Sequence, residues 1–120
     1  MNLVLVFLGG GCGAICRYFI SKIVPVSSDG FPFATFTANF ISCIILGYLI
    51  SQVLNKNLSH SYQLLLMTGF CGGFSTFSTF SAESFKLIEN GQSTIAFAYM
   101  FLSIAICLGA IWMGIKIGGN

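Results

Sequence analysis

The sequence predicts an all-α integral membrane protein of four transmembrane helices. The chain of 120 residues has only 5 basic and 3 acidic side chains, 56% of it is apolar, and its mean hydropathy is +0.91. Soluble domains carry roughly 25% charged residues. So few charges cannot coat a soluble helical domain, and a net charge of +2 is too small and too dispersed to bind nucleic acid.

Four stretches are long and apolar enough to cross a bilayer, which takes about 20 helical residues. Three of them contain no Lys, Arg, Asp or Glu over residues 30–55, 57–82 and 90–115, and the first sixteen residues are also uncharged. The four predicted spans are about 3–24, 33–54, 62–85 and 95–117. Because the connections are short, residues 1–120 are predicted to form one domain.

Lysines are divided evenly between the two sides of the membrane. Four spans place both termini on one side with Lys56 and Lys116, and they place Lys22 and Lys86 on the other. The positive-inside rule therefore has no bias on which to act. Either a small chain has few charges to distribute, or the protein inserts in both orientations and pairs as an antiparallel homodimer. The even distribution favours the second interpretation.

The five cysteines lie within the predicted spans, which argues against a framework of disulfide bonds. Cys12 and Cys16 are four residues apart and share a helix face, but no His or further Cys accompanies them. Since metals in proteins normally take more than two ligands, packing is the favoured role of this pair. No enzyme activity is expected, because the only histidine, His60, lies in a loop and no nucleophile–base pair can be assembled.

Span 1 carries a run of small residues followed by a charge. Residues 9–14 mimic a dinucleotide-binding fingerprint, but a membrane span has no βαβ unit to hold a nucleotide. Small residues at this density allow helices to approach closely instead. Arg17 lies roughly 10 Å from the end of the span. Its side chain either snorkels to the membrane surface or faces a water-filled vestibule that attracts anions.

Polar side chains recur every four residues on two of the spans. The stripes consist of Thr35, Asn39 and Cys43 on span 2 and of Tyr99, Ser103 and Cys107 on span 4. An amide such as that of Asn39 needs a partner inside the membrane. Two stripes of one period on different helices favour a polar path over isolated hydrogen bonds.

Span 3 has the weakest helix propensity. Gly69, Gly72 and Gly73 lie near its middle and precede a run of Ser, Thr and Phe. We therefore predict a break in this helix, whose freed backbone carbonyls are a natural cation site. Phe77 and Phe80 share a face of the helix. They either pack against neighbouring groups or present positive ring edges to an anion.

Three segments resemble signature motifs of the Fluc (CrcB) fluoride channel family. Residues 9–18 (GGGCGAICRY) resemble its GGGxGAxxRY signature, and residues 33–39 (FATFTAN) resemble its PxGTxxxN segment. Residues 69–83 (GFCGGFSTFSTFSAE) resemble its GfcGGxTTFSTFSxE segment, which is highly specific. The sequence departs from these motifs at Ala34, where the family usually has Gly, and at Ser75, where it usually has Thr.

The resemblance implies a dual-topology homodimer with two fluoride pores. Phe77 and Phe80 would line each pore with the amide of Asn39 and a polar track of Ser78 and Thr79. The remaining pore residues would be Tyr99, Ser103 and Thr35, with Arg17 in the vestibule. The resemblance also implies a structural Na⁺ at the dimer centre, bound by the backbone carbonyls of Gly72 and Ser75. The role of Cys107, at a position where a Ser would continue the stripe, stays open.

These observations predict a passive fluoride exporter in a bacterial plasma or inner membrane. The main alternative is a proton-coupled small multidrug transporter, which also has four spans. That mechanism requires a carboxylate in span 1, which has none, and Glu83 near the end of span 3 is a poor substitute. The polar stripes argue against a second alternative, a purely structural helix-packing subunit.

Overall fold

The computed structural model describes residues 1–119, which are helical throughout apart from short connections. The helices are α1 (Asn2–Ile23), α2 (Phe33–Leu54), α3 (His60–Tyr62), a π-helical segment (Gln63–Cys71), α4 (Gly72–Phe74), α5 (Phe77–Glu89) and α6 (Ser93–Ile117). Spans 1, 2 and 4 correspond to α1, α2 and α6, each long and apolar enough to cross a membrane. The predicted all-helical membrane fold is therefore confirmed.

The third predicted span, residues 62–85, is two helical pieces instead of one. The first half-span, residues 60–74, runs through α3, the π-helical segment and α4, and the second half-span is α5. Between them Ser75 and Thr76 are extended, with ψ angles of 160° and 127°. The predicted break is present. However, it follows the three glycines, which are all helical. Gly69 and Gly73 do not end the helix but allow close contact with the backbone of α1.

Side-chain hydrogen bonds fix the position of the break. The Ser75 hydroxyl donates to the carbonyl of Cys71 at 2.8 Å, which closes the last turn of the first half-span. Thr76 then caps α5, because its Oγ1 accepts from the N–H of Thr79 at 3.2 Å. Two hydroxyl residues in succession therefore end one helix and begin the next.

Glycines bring the helices into backbone contact in two pairs. α1 packs against the first half-span, where a Cβ added at Gly13 would lie 2.1 Å from the carbonyl oxygen of Phe70. α2 packs against α6 in the same way, since a Cβ at Gly47 would lie 2.2 Å from the carbonyl oxygen of Ile111. α5 also packs against α6. The break in the third span therefore lies between two tightly packed helix pairs.

Gly13→Ala is expected to destabilise the protein, because the new methyl group meets backbone atoms that no rotamer change can move. Overpacking of this kind typically costs about 1–3 kcal/mol. Gly11→Ala is the matched control on the same helix, since nothing lies within 4 Å of a Cβ there. Thermal stability of the two variants in detergent should separate them. Equal stability would contradict the close contact between α1 and the first half-span.

Candidate functional site

Asn39 of α2 holds the break in the third span. Its Oδ1 accepts from the N–H of Thr76 at 2.8 Å, and its Nδ2 donates to the carbonyl of Thr76 at 3.2 Å. One side chain thus satisfies both backbone groups of a residue that lies outside any helix, as the interior of a membrane requires. An amide has two N–H donors, so one remains after the bond to Thr76.

A cavity of about 240 Å³ lies beside this break, between α2, α5 and α6. Its walls contain a mixture of aromatic, hydroxyl, amide and thiol groups. The lining residues are Asn39, Cys43, Ser75, Thr76, Phe77, Phe80, Ser103, Ile104 and Cys107. We call this space the break cavity. The polar stripes predicted on spans 2 and 4 both reach it.

The wall of the break cavity contains a buried hydroxyl group that lacks a partner within residues 1–119, that of Ser103. Ser103 is only 6% exposed, and its Oγ is a buried polar atom for which the described residues provide no hydrogen-bond partner. A buried hydroxyl without a partner is costly and rare in folded proteins. Because Ser103 lines the cavity, a water or ligand held there can complete its hydrogen bonding.

Phe77 and Phe80 form an aromatic side of the break cavity. Their ring centroids are 5.7 Å apart and their planes are inclined by 40°. Phe80 is 9% exposed and its ring lies 5.0 Å from that of Tyr99, whereas Phe77 is 78% exposed in the single chain. Phe80 is therefore anchored by packing, and Phe77 depends on whatever covers the open side of the cavity.

A second cavity of about 220 Å³ lies beside the carboxylate of Glu83, near the end of the third span. The Thr35 hydroxyl donates to Oε2 of Glu83 at 3.0 Å, and the Tyr99 hydroxyl donates to Oε1 at 2.9 Å. Arg17 and Thr79 line the same cavity, and Nε of Arg17 donates to the carbonyl of Gly73 at 3.2 Å. We call this space the acidic cavity, since Glu83 organises its hydroxyl groups.

The predicted site residues are thus divided between two places. Asn39, Phe77, Phe80 and Ser103 meet at the break cavity, and Thr35, Thr79 and Arg17 line the acidic cavity with Glu83. Tyr99 connects the two, because its ring contacts Phe80 and its hydroxyl contacts Glu83. Ser78 lines neither cavity, and its hydroxyl lies 3.4 Å from that of Thr76.

Glu83 belongs to the site, although its position near the end of the third span makes it a poor proton carrier for a transporter. Its contacts with Thr35 and Tyr99 show a different use, which is to orient hydroxyl groups from two neighbouring helices. The sequence does contain a sign that Glu83 belongs to the site, because Glu83 is the last residue of the third motif, residues 69–83.

The carbonyls of Gly72 and Ser75 fit the role of cation ligands. A continuous helix would direct the N–H of Thr76 to Gly72 and the N–H of Thr79 to Ser75. Instead, these N–H groups donate to Asn39 and to the hydroxyl of Thr76. The break therefore removes the i+4 donors of both carbonyls. Such hard oxygen ligands suit Na⁺, and residues 1–119 contain no cluster of three acidic, His or Cys side chains for a metal.

The fold and the two cavities define a small multi-pass membrane protein with a polar and aromatic site beside a broken helix. Comparison with known proteins agrees, since residues 4–115 match the family described as "CrcB-like protein, Camphor Resistance (CrcB)". The chain belongs to this family, and the family membership that its motifs predict is confirmed.

Several relatives carry the name "Fluoride-specific ion channel FluC". The protein of that name from Pyrococcus abyssi (strain GE5 / Orsay) is 42% identical over 118 residues, which cover 95% of each chain. The one from Coxiella burnetii (strain CbuK_Q154) is 39% identical over 122 residues, which cover 98% of each chain. The one from Oceanobacillus iheyensis is 42% identical over 117 residues, which cover 97% of this chain and 90% of the relative.

Proposed function

We propose that this protein is a fluoride-selective ion channel of the cell membrane that releases fluoride passively and so reduces its toxicity in the cytoplasm. The names of its relatives support this function. The observation that carries it in this chain is the buried Ser103 hydroxyl, which has no partner among the described residues and lies in the break cavity. A small anion that accepts hydrogen bonds is a suitable partner.

The break cavity offers fluoride several weak contacts in place of its hydration shell. Ser103 supplies an O–H donor, and Asn39 supplies the N–H that remains after its bond to Thr76. Phe77 and Phe80 supply ring edges, which are weakly positive. None of the described residues that line this cavity is Lys or Arg. An ion can therefore bind and still leave, as conduction requires.

The acidic cavity serves as the approach to this pathway. Arg17 provides a positive charge that attracts anions, while its bond to the Gly73 carbonyl holds it near the break. Glu83 orients the hydroxyls of Thr35 and Tyr99, and Tyr99 in turn packs against Phe80. Fluoride would be transferred from a charged entrance to an uncharged, aromatic constriction.

Ser103→Ala should lower fluoride efflux from liposomes by about tenfold, the change expected from a rise of roughly 1.4 kcal/mol in the barrier. The substitution removes the donor that has no protein partner. Ser84→Ala is the matched control, because Ser84 is also buried but its hydroxyl already bonds to the carbonyl of Phe80. Efflux through the Ser103 variant that equals efflux through the Ser84 variant would contradict a pathway through this cavity.

The working unit is proposed to be an antiparallel homodimer with two pores and a central Na⁺. The even lysine distribution supports insertion in both orientations. The largely exposed Phe77 supports a partner surface over the break cavity. One chain offers only two carbonyls, from Gly72 and Ser75, so a second copy would complete a site of four oxygens. Since the ligands are backbone groups, Ser75→Ala should retain the ion.

Tags on the C-terminus should report both orientations of the wild-type protein in the membrane. Two lysines added to the connection at residues 55–59 should lock one orientation and abolish fluoride efflux. Co-expression with a copy locked the opposite way should restore it. A wild-type protein with a single orientation would rule out the antiparallel dimer.

A further inference from the structure

Two of the five cysteines occupy the wall of the break cavity. Cys43 lies on α2 and Cys107 lies on α6, and both are partly exposed. The two side chains line the same cavity from neighbouring helices that pack against each other. Cys12, Cys16 and Cys71 do not line this cavity. The wall therefore contains one thiol pair in addition to the groups assigned to fluoride.

The packing of α2 against α6 fixes the spacing of this pair. Gly47 follows Cys43 by one helical turn, and Ile111 follows Cys107 by one turn. These two positions are the point where the helix backbones meet, since a Cβ at Gly47 would lie 2.2 Å from the carbonyl oxygen of Ile111. This contact keeps the backbones of α2 and α6 close together one turn beyond the two cysteines. A pre-organised pair of ligands loses little freedom when it binds.

We propose that Cys43 and Cys107 form a dithiol site for a soft, thiophilic cation such as Cu⁺ or Hg²⁺, and that its occupation stops fluoride flow. This inference rests on the assignment of the break cavity to the fluoride pathway. Soft cations prefer thiolate ligands, and Cu⁺ and Hg²⁺, unlike most metals in proteins, can be held by only two of them. Binding releases one proton from each thiol and forms two sulfur–metal bonds, so no electron transfer is involved.

The bound cation would obstruct the pathway where it passes through the break cavity. Cys43 and Cys107 share the cavity with Asn39, Phe77 and Ser103, so a metal held between the two sulfurs stands among the groups that fluoride must contact. A metal that bridges both sulfurs also ties α2 to α6 beside the third-span break.

The test uses Hg²⁺ on the purified protein and on liposomes that contain it. The sulfur–mercury absorption band reports binding, and fluoride efflux, expressed relative to the same sample without Hg²⁺, reports block. The variants are Cys43→Ser, Cys107→Ser and the control Cys12→Ser/Cys16→Ser, which removes the α1 pair. Wild type and control should be blocked equally, and each single variant should need at least about tenfold more Hg²⁺. A dithiol chelator should restore efflux.

Two results would overturn the inference in different ways. Equal sensitivity of wild type and either single Ser variant would show that one thiol suffices and that no dithiol site exists. Binding that needs both thiols but leaves efflux unchanged would remove the break cavity from the fluoride pathway. Efflux from untreated wild-type protein tests the proposed function separately, because its absence would refute a fluoride channel whatever Hg²⁺ binds.

Discussion

Asn39→Ala should abolish fluoride efflux and destabilise the fold. The amide of Asn39 satisfies both the N–H and the carbonyl of Thr76. Alanine would leave these groups without partners inside the membrane, at a typical cost of about 1–3 kcal/mol for each buried group. The third span could recover a bond for the Thr76 N–H only by closing the break into a continuous helix. That change would withdraw the Gly72 carbonyl and reshape the break cavity.

Asn39→Asp separates the two roles of this side chain. A carboxylate still accepts from the N–H of Thr76 but cannot donate to its carbonyl or to fluoride, and it adds negative charge to the cavity. We expect this variant to retain more thermal stability than Asn39→Ala while conducting as poorly. Full efflux through Asn39→Ala would show that the amide neither holds the break nor contacts the ion.

Phe77→Leu and Phe80→Leu should each reduce fluoride efflux by about tenfold or more, equivalent to a barrier higher by roughly 1.4 kcal/mol. Leucine retains apolar bulk but has no positive ring edge with which to meet an anion. If both rings only pack, leucine should substitute with little effect. Phe→Met should be milder than Phe→Leu, because a polarisable thioether retains some adaptability.

Phe85→Leu is the matched control for the aromatic variants. Phe85 lies on the same helix and is 61% exposed, but it does not line the break cavity. Its replacement should leave efflux within a factor of about two, since surface substitutions usually change stability by no more than about 0.5 kcal/mol. Gel filtration of all the variants should give one elution volume. Normal efflux through both Leu variants at residues 77 and 80 would assign these rings to packing.

The spans were predictable because they depend on local composition. The predicted limits of span 2, residues 33–54, agree with those of α2 (Phe33–Leu54). The position of the break was less predictable, because glycine propensity points to residues 69–73 whereas the break follows Phe74. Its location depends on Asn39, which lies 37 positions from Thr76 in the sequence. Helix propensity is a local property and takes no account of such a distant contact. The π-helical segment was not predicted at all.

The residues of the two predicted polar stripes lie on α2 and α6, but the sequence pattern did not show that one stripe reaches two separate cavities. Residues eight positions apart on a helix are about 12 Å apart along its axis. One stripe therefore reaches from Thr35 at the acidic cavity to Cys43 at the break cavity. Periodicity in the sequence shows which face of a helix is polar. It does not show which residue of a neighbouring helix lies opposite each turn. For the same reason the contacts of Glu83 with Thr35 and Tyr99 could not be read from the sequence.

Paired efflux of fluoride and chloride from liposomes containing the purified wild-type protein tests the central claim most directly. Potassium ionophore supplies the counter-ion current, and ion-selective electrodes record each anion under one gradient. Fluoride should leave rapidly while chloride stays at the level of protein-free liposomes, because the break cavity provides small donors and ring edges without a full positive charge. Chloride efflux equal to that of fluoride, or no efflux of either anion, would contradict a fluoride-selective channel.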